Sequence, residues 1–207
     1  MKKLLLEYKK FKENYKFEYK QLLKNEDGIF FDGSLIEDNE KNKVFEGENF
    51  INISYTSKTS ISKALSNLFP YSFIFRGKKV SSVEGVLQGI KYKDKKIQNL
   101  VLNYSGLDAY HTRAANNYDF WGNNGKLYWQ GKEINRHGEE YQNFLDELYV
   151  SLLKNKLFQR VLISSGDKYL LHHIGQTDPK ITVLTRYEYE SRLNTLREFF
   201  KFKNYKI

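Results

Sequence analysis

The chain has 207 residues, with 34 Lys or Arg against 25 Asp or Glu, and its formal net charge is +9. An apolar content of 40% and an aromatic content of 16% exclude a disordered chain, and no apolar run reaches the ~18 residues of a transmembrane helix. The absence of cysteine excludes disulfides and thiolate chemistry. We therefore expect a cytoplasmic protein that does not bind membranes.

The positive charge is concentrated at the two ends of the sequence. Residues 1–25 contain eight Lys and three Glu, and residues 198–207 contain three Lys and one Glu, which leaves only +2 on the rest. Residues 2–24 are predicted to form one amphipathic helix, because apolar side chains recur at steps of three and four. These side chains are Leu4, Tyr8, Phe11, Tyr15, Tyr19 and Leu22. Such a stripe either packs on the core or, together with its lysines, binds single-stranded nucleic acid.

A polar, turn-rich connector follows this helix. Residues 25–50 contain one strand-like run, Ile29-Phe30-Phe31, which predicts a short hairpin element. We therefore divide the chain into an amino-terminal basic helix and connector at 1–50 and a main domain at 51–207.

The main domain is predicted to be a single, mainly helical α+β domain with a few short strands. Strands are predicted at 50–54, at 73–80 with a turn at Gly77, at 127–134 and at 170–174. Helices are predicted at 82–92, 94–103, 107–117, 139–155, 156–164 and 185–202.

Segment 81–91 carries the most informative polar pattern. A helix there places Glu84, Gln88 and Lys91 on one face and apolar residues on the opposite face. One carboxylate, one amide and one ammonium on a single face form a candidate ligand-binding or catalytic site.

The same segment also has a structural interpretation, and its glycines add a further functional expectation. Ser81 and Glu84 match the Ser-x-x-Glu pattern of a capping box, in which both side chains satisfy backbone N–H groups at a helix start. Gly85 and Gly89 flank the polar face, and we expect them to let a ligand approach the backbone closely.

The remaining motifs do not indicate a metal or a cofactor. The four histidines lack the spacing of a zinc site, and the sequence contains neither a glycine-rich phosphate loop nor a nucleophile elbow. The histidines are His111, His137, His172 and His173. Trp121 and Trp129 lie in or beside a loop rich in Gly and Asn, where they either stack on an aromatic ligand or close part of the core.

Several short motifs together resemble the NADAR family, the group of YbiA-like N-glycosidases. The motifs cover about residues 52–197, and the combined match rests on their order and spacing. They are Ala64–Pro70, Phe75-Arg-Gly77, Ser82–Gln88, Leu127–Gly131, Glu140-Tyr-Gln142, Leu162–Asp167, His173-Ile-Gly175, Thr182–Thr185, Arg192-Leu193 and Leu196-Arg197.

The resemblance implies a YbiA-like fold and hydrolysis of N-glycosidic bonds without a metal or cofactor. Substrates of that family are ribosylamino-pyrimidine intermediates of riboflavin synthesis and ADP-ribose attached to guanine. The resemblance also implies a catalytic role for Glu84, and for Lys91 either a phosphate contact or a transient imine. The residues that it implies for substrate binding are Ser66, Asn67, Gln88, Arg113, Trp121 and Trp129.

Departures from the family pattern favour an ADP-ribosyl substrate. The family's usual Glu-His pair is Glu84-Gly85 here, and the ending typical of the riboflavin-type members is missing after Gly175. The expected function is therefore hydrolysis of an ADP-ribosylated base, such as guanine in nucleic acid, with the basic ends as a possible nucleic-acid contact. The alternatives are a non-catalytic module that binds ADP-ribose or another NAD derivative, and an N-glycosidase for a riboflavin intermediate.

Overall fold

The architecture is described here from a computed structural model. It describes residues 1–15, 17, 50–57, 59–112 and 124–204, together with the backbone of two short strands at 29–31 and 34–36.

Helices and short strand pairs follow one another along these residues, and they confirm a mainly helical α+β fold. The helices are α1 (Lys2–Asn14), α2 (Ser60–Leu65), α3 (Val83–Gly89), α4 (Lys95–Leu102), α5 (Gly106–Thr112), α6 (Glu139–Leu152), α7 (Lys156–Ser164) and α8 (Arg186–Asn204). The strands are β1 (Ile29–Phe31), β2 (Ser34–Ile36), β3 (Phe50–Asn52), β4 (Phe73–Phe75), β5 (Lys78–Val80), β6 (Lys126–Trp129), β7 (Lys132–Asn135) and β8 (Tyr169–Leu171).

The strands pair two by two in the described ranges. Strands β1–β2, β4–β5 and β6–β7 are antiparallel neighbours. Strands β3 and β8 are far apart in sequence and pair in parallel. Two hairpins turn through a residue followed by glycine, Arg76-Gly77 and Gln130-Gly131, and all four residues have positive φ. This is the geometry of a two-residue turn whose twist matches that of the flanking strands.

Helix α6 lies at the centre of the hydrophobic core. Its stripe, predicted from the spacing of its apolar residues, is fully or almost fully buried. The stripe consists of Phe144, Leu145, Leu148, Tyr149 and Leu152. Around it pack the β4–β5 hairpin, α1 and α8, so that α6 contacts elements from both halves of the chain.

Helix α1 packs its aromatic stripe against α8. Tyr8 is fully buried and meets Phe199 edge to face, and Phe11 packs on the same ring. The helix ends at Asn14, whereas the sequence predicted it to continue to residue 24; residue 16 and residues 18–24 lie outside the described ones. For Tyr8 and Phe11, the core-packing alternative therefore applies, and their rings are not exposed platforms for nucleic-acid bases.

A buried ion-pair network joins α1, α6, α8 and the end of β7. We call it the arginine network; it comprises Lys12, Arg136, Gln142, Asp146, Glu188 and Arg192. The guanidinium of Arg136, only 1% exposed, donates to both carboxylate oxygens of Glu188 at 2.9 and 2.7 Å. Such bidentate pairs fix geometry as well as contributing energy. The network holds α8 against α6, the two helices that support the candidate site.

No helix in the described part of the chain is both long enough and apolar enough to cross a bilayer.

Candidate functional site

Helix α3 begins one residue later than the capping-box interpretation requires. Its N-cap is Ser82, whose hydroxyl accepts a hydrogen bond from the Gly85 N–H at 2.9 Å. The third helical residue is thus Gly85, and Glu84 stands at the second position. A glutamate reaches back to the N-cap N–H from the third position, so the predicted box between Ser81 and Glu84 is wrong.

Two polar residues of α3, Glu84 and Gln88, and Lys91 in the turn directly after the helix form a hydrogen-bonded row, as their spacing predicted. The Gln88 amide nitrogen donates to the Glu84 carboxylate at 2.7 Å, and the Lys91 ammonium donates to the Gln88 amide oxygen at 2.7 Å. Gln88 and Lys91 are 5% and 9% exposed, whereas Glu84 is half-buried. One neutral amide therefore separates a solvent-accessible carboxylate from a nearly buried cation.

The glycines of α3 serve helix packing. A Cβ at Gly85 would lie 3.1 Å from the carbonyl oxygen of Val101, and a Cβ at Gly89 would lie 3.3 Å from the Leu102 side chain. The space beside both glycines is therefore occupied by α4. This corrects the expectation that the glycines open the polar face to a ligand.

A tight turn after α2 brings Ser66 and Asn67 to the start of α3. The Asn67 carbonyl accepts a hydrogen bond from the Glu84 N–H at 3.1 Å, and the Ser66 hydroxyl accepts one from the Leu68 N–H at 3.2 Å. Helix α5 closes the turn from outside, because Gly106 lies so near that a Cβ would be 2.0 Å from the Leu68 carbonyl oxygen. Two of the predicted ligand-facing residues thus adjoin the predicted catalytic carboxylate.

Two buried tyrosines support this turn from behind. Tyr149 on α6 donates its hydroxyl to the Asn67 side-chain oxygen at 2.9 Å, and Tyr189 on α8 donates to the Leu65 carbonyl at 2.6 Å. Burial raises the pKa of both tyrosines, and the nearby carboxylate of Glu84 raises it further. The sequence had indicated Tyr149 only as part of an apolar stripe, so its polar role was missed.

We call the group formed by Ser66, Asn67, Glu84, Gln88 and Lys91 the Glu84 cluster. Trp129 is not in contact with it through any described interaction: its ring packs edge to face on Phe75 at 5.0 Å and on Phe144 at 5.6 Å. These contacts match the core-closing alternative, and a stacking role for Trp129 stays a prediction. Arg113 and Trp121 lie outside the described residues.

The adjacent histidines His172 and His173 form hydrogen bonds with residues of the parallel strand pair or next to it. The His172 ring nitrogen Nδ1 lies 2.7 Å from the Ile53 carbonyl oxygen, and the His173 Nδ1 lies 3.2 Å from the Asn52 amide. Burial lowers the pKa of His172, so its neutral form is favoured. Among the described residues, no three His, Asp or Glu side chains converge as metal ligands.

Comparison with known proteins identifies the family to which this chain belongs. The family described as bacteriophage protein GP30.3 matches residues 59–198, which include the whole Glu84 cluster, and the chain belongs to that family. A relative in Enterobacteria phage T4, named "Uncharacterized 17.1 kDa protein in Gp30-rIII intergenic region", is 32% identical over 137 residues. That match covers 65% of this chain and 89% of the T4 protein. No solved structure matches.

This membership overturns the assignment to the NADAR family, which was wrong. The reason is visible in the local structure of the motifs that carried the resemblance. Phe75-Arg-Gly77 and the end of Leu127–Gly131 are hairpin turns, and Ser82 begins a helix by capping it. Turns and caps of this kind recur in unrelated folds because they satisfy local backbone geometry.

Proposed function

We propose that this protein is an N-glycosidase that uses the Glu84 cluster to hydrolyse the ribose C–N bond of a phosphorylated ribosyl substrate. The observation that carries the proposal is the Glu84–Gln88–Lys91 row, in which one amide accepts from a nearly buried ammonium and donates to a half-buried carboxylate. In hydrolysis of a phosphorylated ribosyl compound, a carboxylate stabilises the charge that develops at the anomeric carbon, and a cation binds the phosphate.

The proposed chemistry assigns one role to each charge. As the C–N bond breaks, positive charge develops at the anomeric carbon, and the Glu84 carboxylate stabilises it or accepts a proton from the attacking water. The water oxygen bonds to the anomeric carbon, and the base leaves with the electron pair and takes up a proton. Lys91 attracts a phosphate of the substrate, because an ammonium group at a nearly buried position forms strong charge-assisted hydrogen bonds to an anion.

The substrate that we propose to test first is an ADP-ribosylated guanine base in nucleic acid. Lysines of the basic ends would contact the phosphate backbone, although Lys12 and Lys203 already pair with Asp146 and Glu7. Aromatic stacking by Tyr8 is no part of this proposal, because its ring is buried. We place the activity in the cytoplasm, as the cysteine-free composition suggests.

One observation favours a second candidate, a non-catalytic module that binds ADP-ribose or a related NAD derivative. Glycoside hydrolysis usually uses a pair of carboxylates, whereas the Glu84 cluster contains one. A single carboxylate with amide and ammonium neighbours is sufficient for binding a ribosyl phosphate by hydrogen bonds and charge.

One assay separates the two candidates. Wild type, Glu84→Gln and the matched surface control Glu139→Gln are each offered guanine-ADP-ribosylated oligonucleotide, free ADP-ribose and a ribosylamino-pyrimidine phosphate. Release of base is measured by chromatography, and ADP-ribose affinity by calorimetry. We expect Glu84→Gln to lose on the order of 100-fold or more in turnover, the size of effect seen when a charge-stabilising group is removed.

Each outcome decides between the candidates. Loss of turnover in Glu84→Gln with normal turnover in Glu139→Gln supports the N-glycosidase. Equal turnover in wild type and Glu84→Gln contradicts the role of Glu84. Binding of ADP-ribose by wild type without release of base from any substrate supports the binding module, and release only from the pyrimidine compound moves the substrate to the riboflavin type.

A further inference from the structure

We infer that Tyr149 is a positioning residue that locks the Asn67 carboxamide as a hydrogen-bond donor to the ligand beside Glu84. The inference deepens the proposed function and rests on it, since it names a residue that sets how the same site recognises the ribosyl phosphate.

The Tyr149 hydroxyl is the donor in its hydrogen bond with Asn67. The Tyr149 side chain is fully buried in α6, and burial raises the pKa of its phenol, so the hydroxyl keeps its proton. It donates this proton to the Asn67 Oδ1 at 2.9 Å. With Oδ1 occupied as an acceptor, the two N–H groups on Nδ2 are the part of the amide left for a ligand.

Hydrogen bonds and close packing hold the backbone around Asn67 next to Glu84. The Asn67 carbonyl accepts the Glu84 N–H at 3.1 Å, and Tyr189 fixes the preceding turn through the Leu65 carbonyl at 2.6 Å. The close approach of Gly106 to the Leu68 carbonyl blocks the turn from moving outward. Tyr149 thus contacts a side chain whose backbone is already held by hydrogen bonds and close packing.

This arrangement places donors and acceptors in a pattern that suits one ligand class. The Asn67 Nδ2 donates, the half-buried Glu84 carboxylate accepts, and Lys91 supplies positive charge. A ribosyl phosphate offers the complement: hydroxyl groups that donate to the carboxylate, and ring, hydroxyl or phosphate oxygens that accept from the amide. Without the Tyr149 hydroxyl, the amide is free to rotate and present its oxygen, which repels those acceptors.

The test removes only the hydroxyl, with Tyr149→Phe. The matched control is Tyr141→Phe, because Tyr141 is equally buried on the same helix but donates its hydroxyl to the Val183 carbonyl, away from the turn. Both variants lose one buried hydrogen bond, so we expect similar decreases in melting temperature. Only Tyr149→Phe should raise the KM of the substrate, or the Kd of ADP-ribose, by roughly 5- to 10-fold, which is the effect of losing about one neutral hydrogen bond. Its kcat should stay within about twofold of the wild-type value.

A double-mutant cycle and a spectroscopic measurement complete the design. Asn67→Asp replaces the donor by a carboxylate, and we expect it to weaken binding at least as much as Tyr149→Phe, with little further loss when the two are combined. In protein labelled with nitrogen-15 at asparagine, the two Asn67 side-chain amide protons should give distinct signals in every variant, because rotation about the amide C–N bond is slow. These signals should shift in Tyr149→Phe, which loses the hydrogen bond at Oδ1, and stay in place in Tyr141→Phe.

The outcomes separate this inference from the proposed function. Unchanged Asn67 signals in Tyr149→Phe, or equal KM and Kd changes in both tyrosine variants, overturn the positioning role. Wild-type protein that neither binds nor hydrolyses any of the probes overturns the proposed function, and the amide signals then still decide whether Tyr149 orients Asn67.

Discussion

Helices α3 and α8 begin with the same sequence pattern and use it in opposite ways. Ser81-x-x-Glu84 precedes one helix and Thr185-x-x-Glu188 the other. At α8 the capping box forms: the Glu188 carboxylate accepts from the Thr185 N–H at 2.7 Å, and the Thr185 hydroxyl accepts from the Glu188 N–H at 3.2 Å. At α3 the helix starts at a different serine, and the glutamate belongs to a polar surface.

Glu188 is committed to the fold. Its carboxylate receives Arg136 in a bidentate pair as well as the Gln142 amide at 2.7 Å. Burial by itself would raise the pKa of Glu188, but the contacts with Arg136, the Thr185 backbone and Gln142 outweigh it and lower the pKa below its ordinary value. The charged carboxylate of Glu188 therefore links α8 to α6 and to the end of β7, and we call this its charged-strut role.

Glu84 differs because of a shift of a single residue. With Ser82 as the N-cap, Glu84 is at the second helical position, from which its side chain accepts from Gln88 four residues later at 2.7 Å. Whether a glutamate stabilises a helix start or lines a site is thus decided by the residue at which the helix begins. Contacts with neighbouring segments of the same chain set the residue at which α3 begins. The Leu102 carbonyl accepts from the Ser81 N–H, and the Asn67 carbonyl accepts from the Glu84 N–H.

The largest difference that this comparison predicts lies in stability. Glu188→Ala leaves the Arg136 guanidinium buried without its partner, and we expect a loss of roughly 3–5 kcal/mol in the free energy of unfolding. Glu84→Ala changes a half-exposed side chain, and we expect a loss of about 0.5 kcal/mol or less. Urea denaturation of both variants measures the contrast. Equal losses would show that Glu84 also supports the fold and would weaken the distinction.

An intermediate effect distinguishes the two serines at the start of α3. Ser82→Ala removes the cap of the Gly85 N–H and should cost about 1 kcal/mol, the usual value for an N-cap. Ser81→Ala should change the unfolding free energy by only a few tenths of a kcal/mol, because Ser81 contributes its backbone N–H, which alanine retains. The reverse order of stabilities would return the N-cap to Ser81 and restore the capping box.

The smallest effect is a change in pH dependence. Because the folded-state pKa of Glu188 is lowered, this carboxylate contributes stability above its ordinary pKa of 4.5, and the contribution is lost as the pH falls through the folded value. Thermal melts from pH 6 to pH 3 should therefore show a steeper loss of stability in wild type than in Glu188→Gln. Parallel curves for the two proteins would contradict the charged-strut role.

Much of the fold follows from local patterns in the sequence. The apolar stripe of α6 predicted its burial, Gly77 predicted the β4–β5 turn, and the predicted 156–164 helix has the observed bounds. Helix α2, six residues long, was missed because so short a segment gives no periodicity to detect. The division into 1–50 and 51–207 stays a prediction, although Tyr8 of the first part packs in the common core.

The candidate site was predictable only where its residues are close in sequence, within α3 and the turn that follows it. The row of Glu84, Gln88 and Lys91 follows from the helical period, whereas no local pattern indicated that Tyr149 would reach Asn67, 82 residues away in sequence. Short motifs also led to the wrong family assignment, because turns and helix caps depend on local backbone geometry and recur in unrelated families.

The sequence by itself determined the mainly helical class, the concentration of charge at the ends and the polar face of α3, because each depends on composition or on a short-range period. Only the tertiary structure decided which glutamate pairs with Arg136 and which accepts from Gln88, what covered the aromatic face of α1, and which tyrosine donates to Asn67. These choices depend on where distant segments pack, and a buried polar atom takes its partner from whichever segment reaches it.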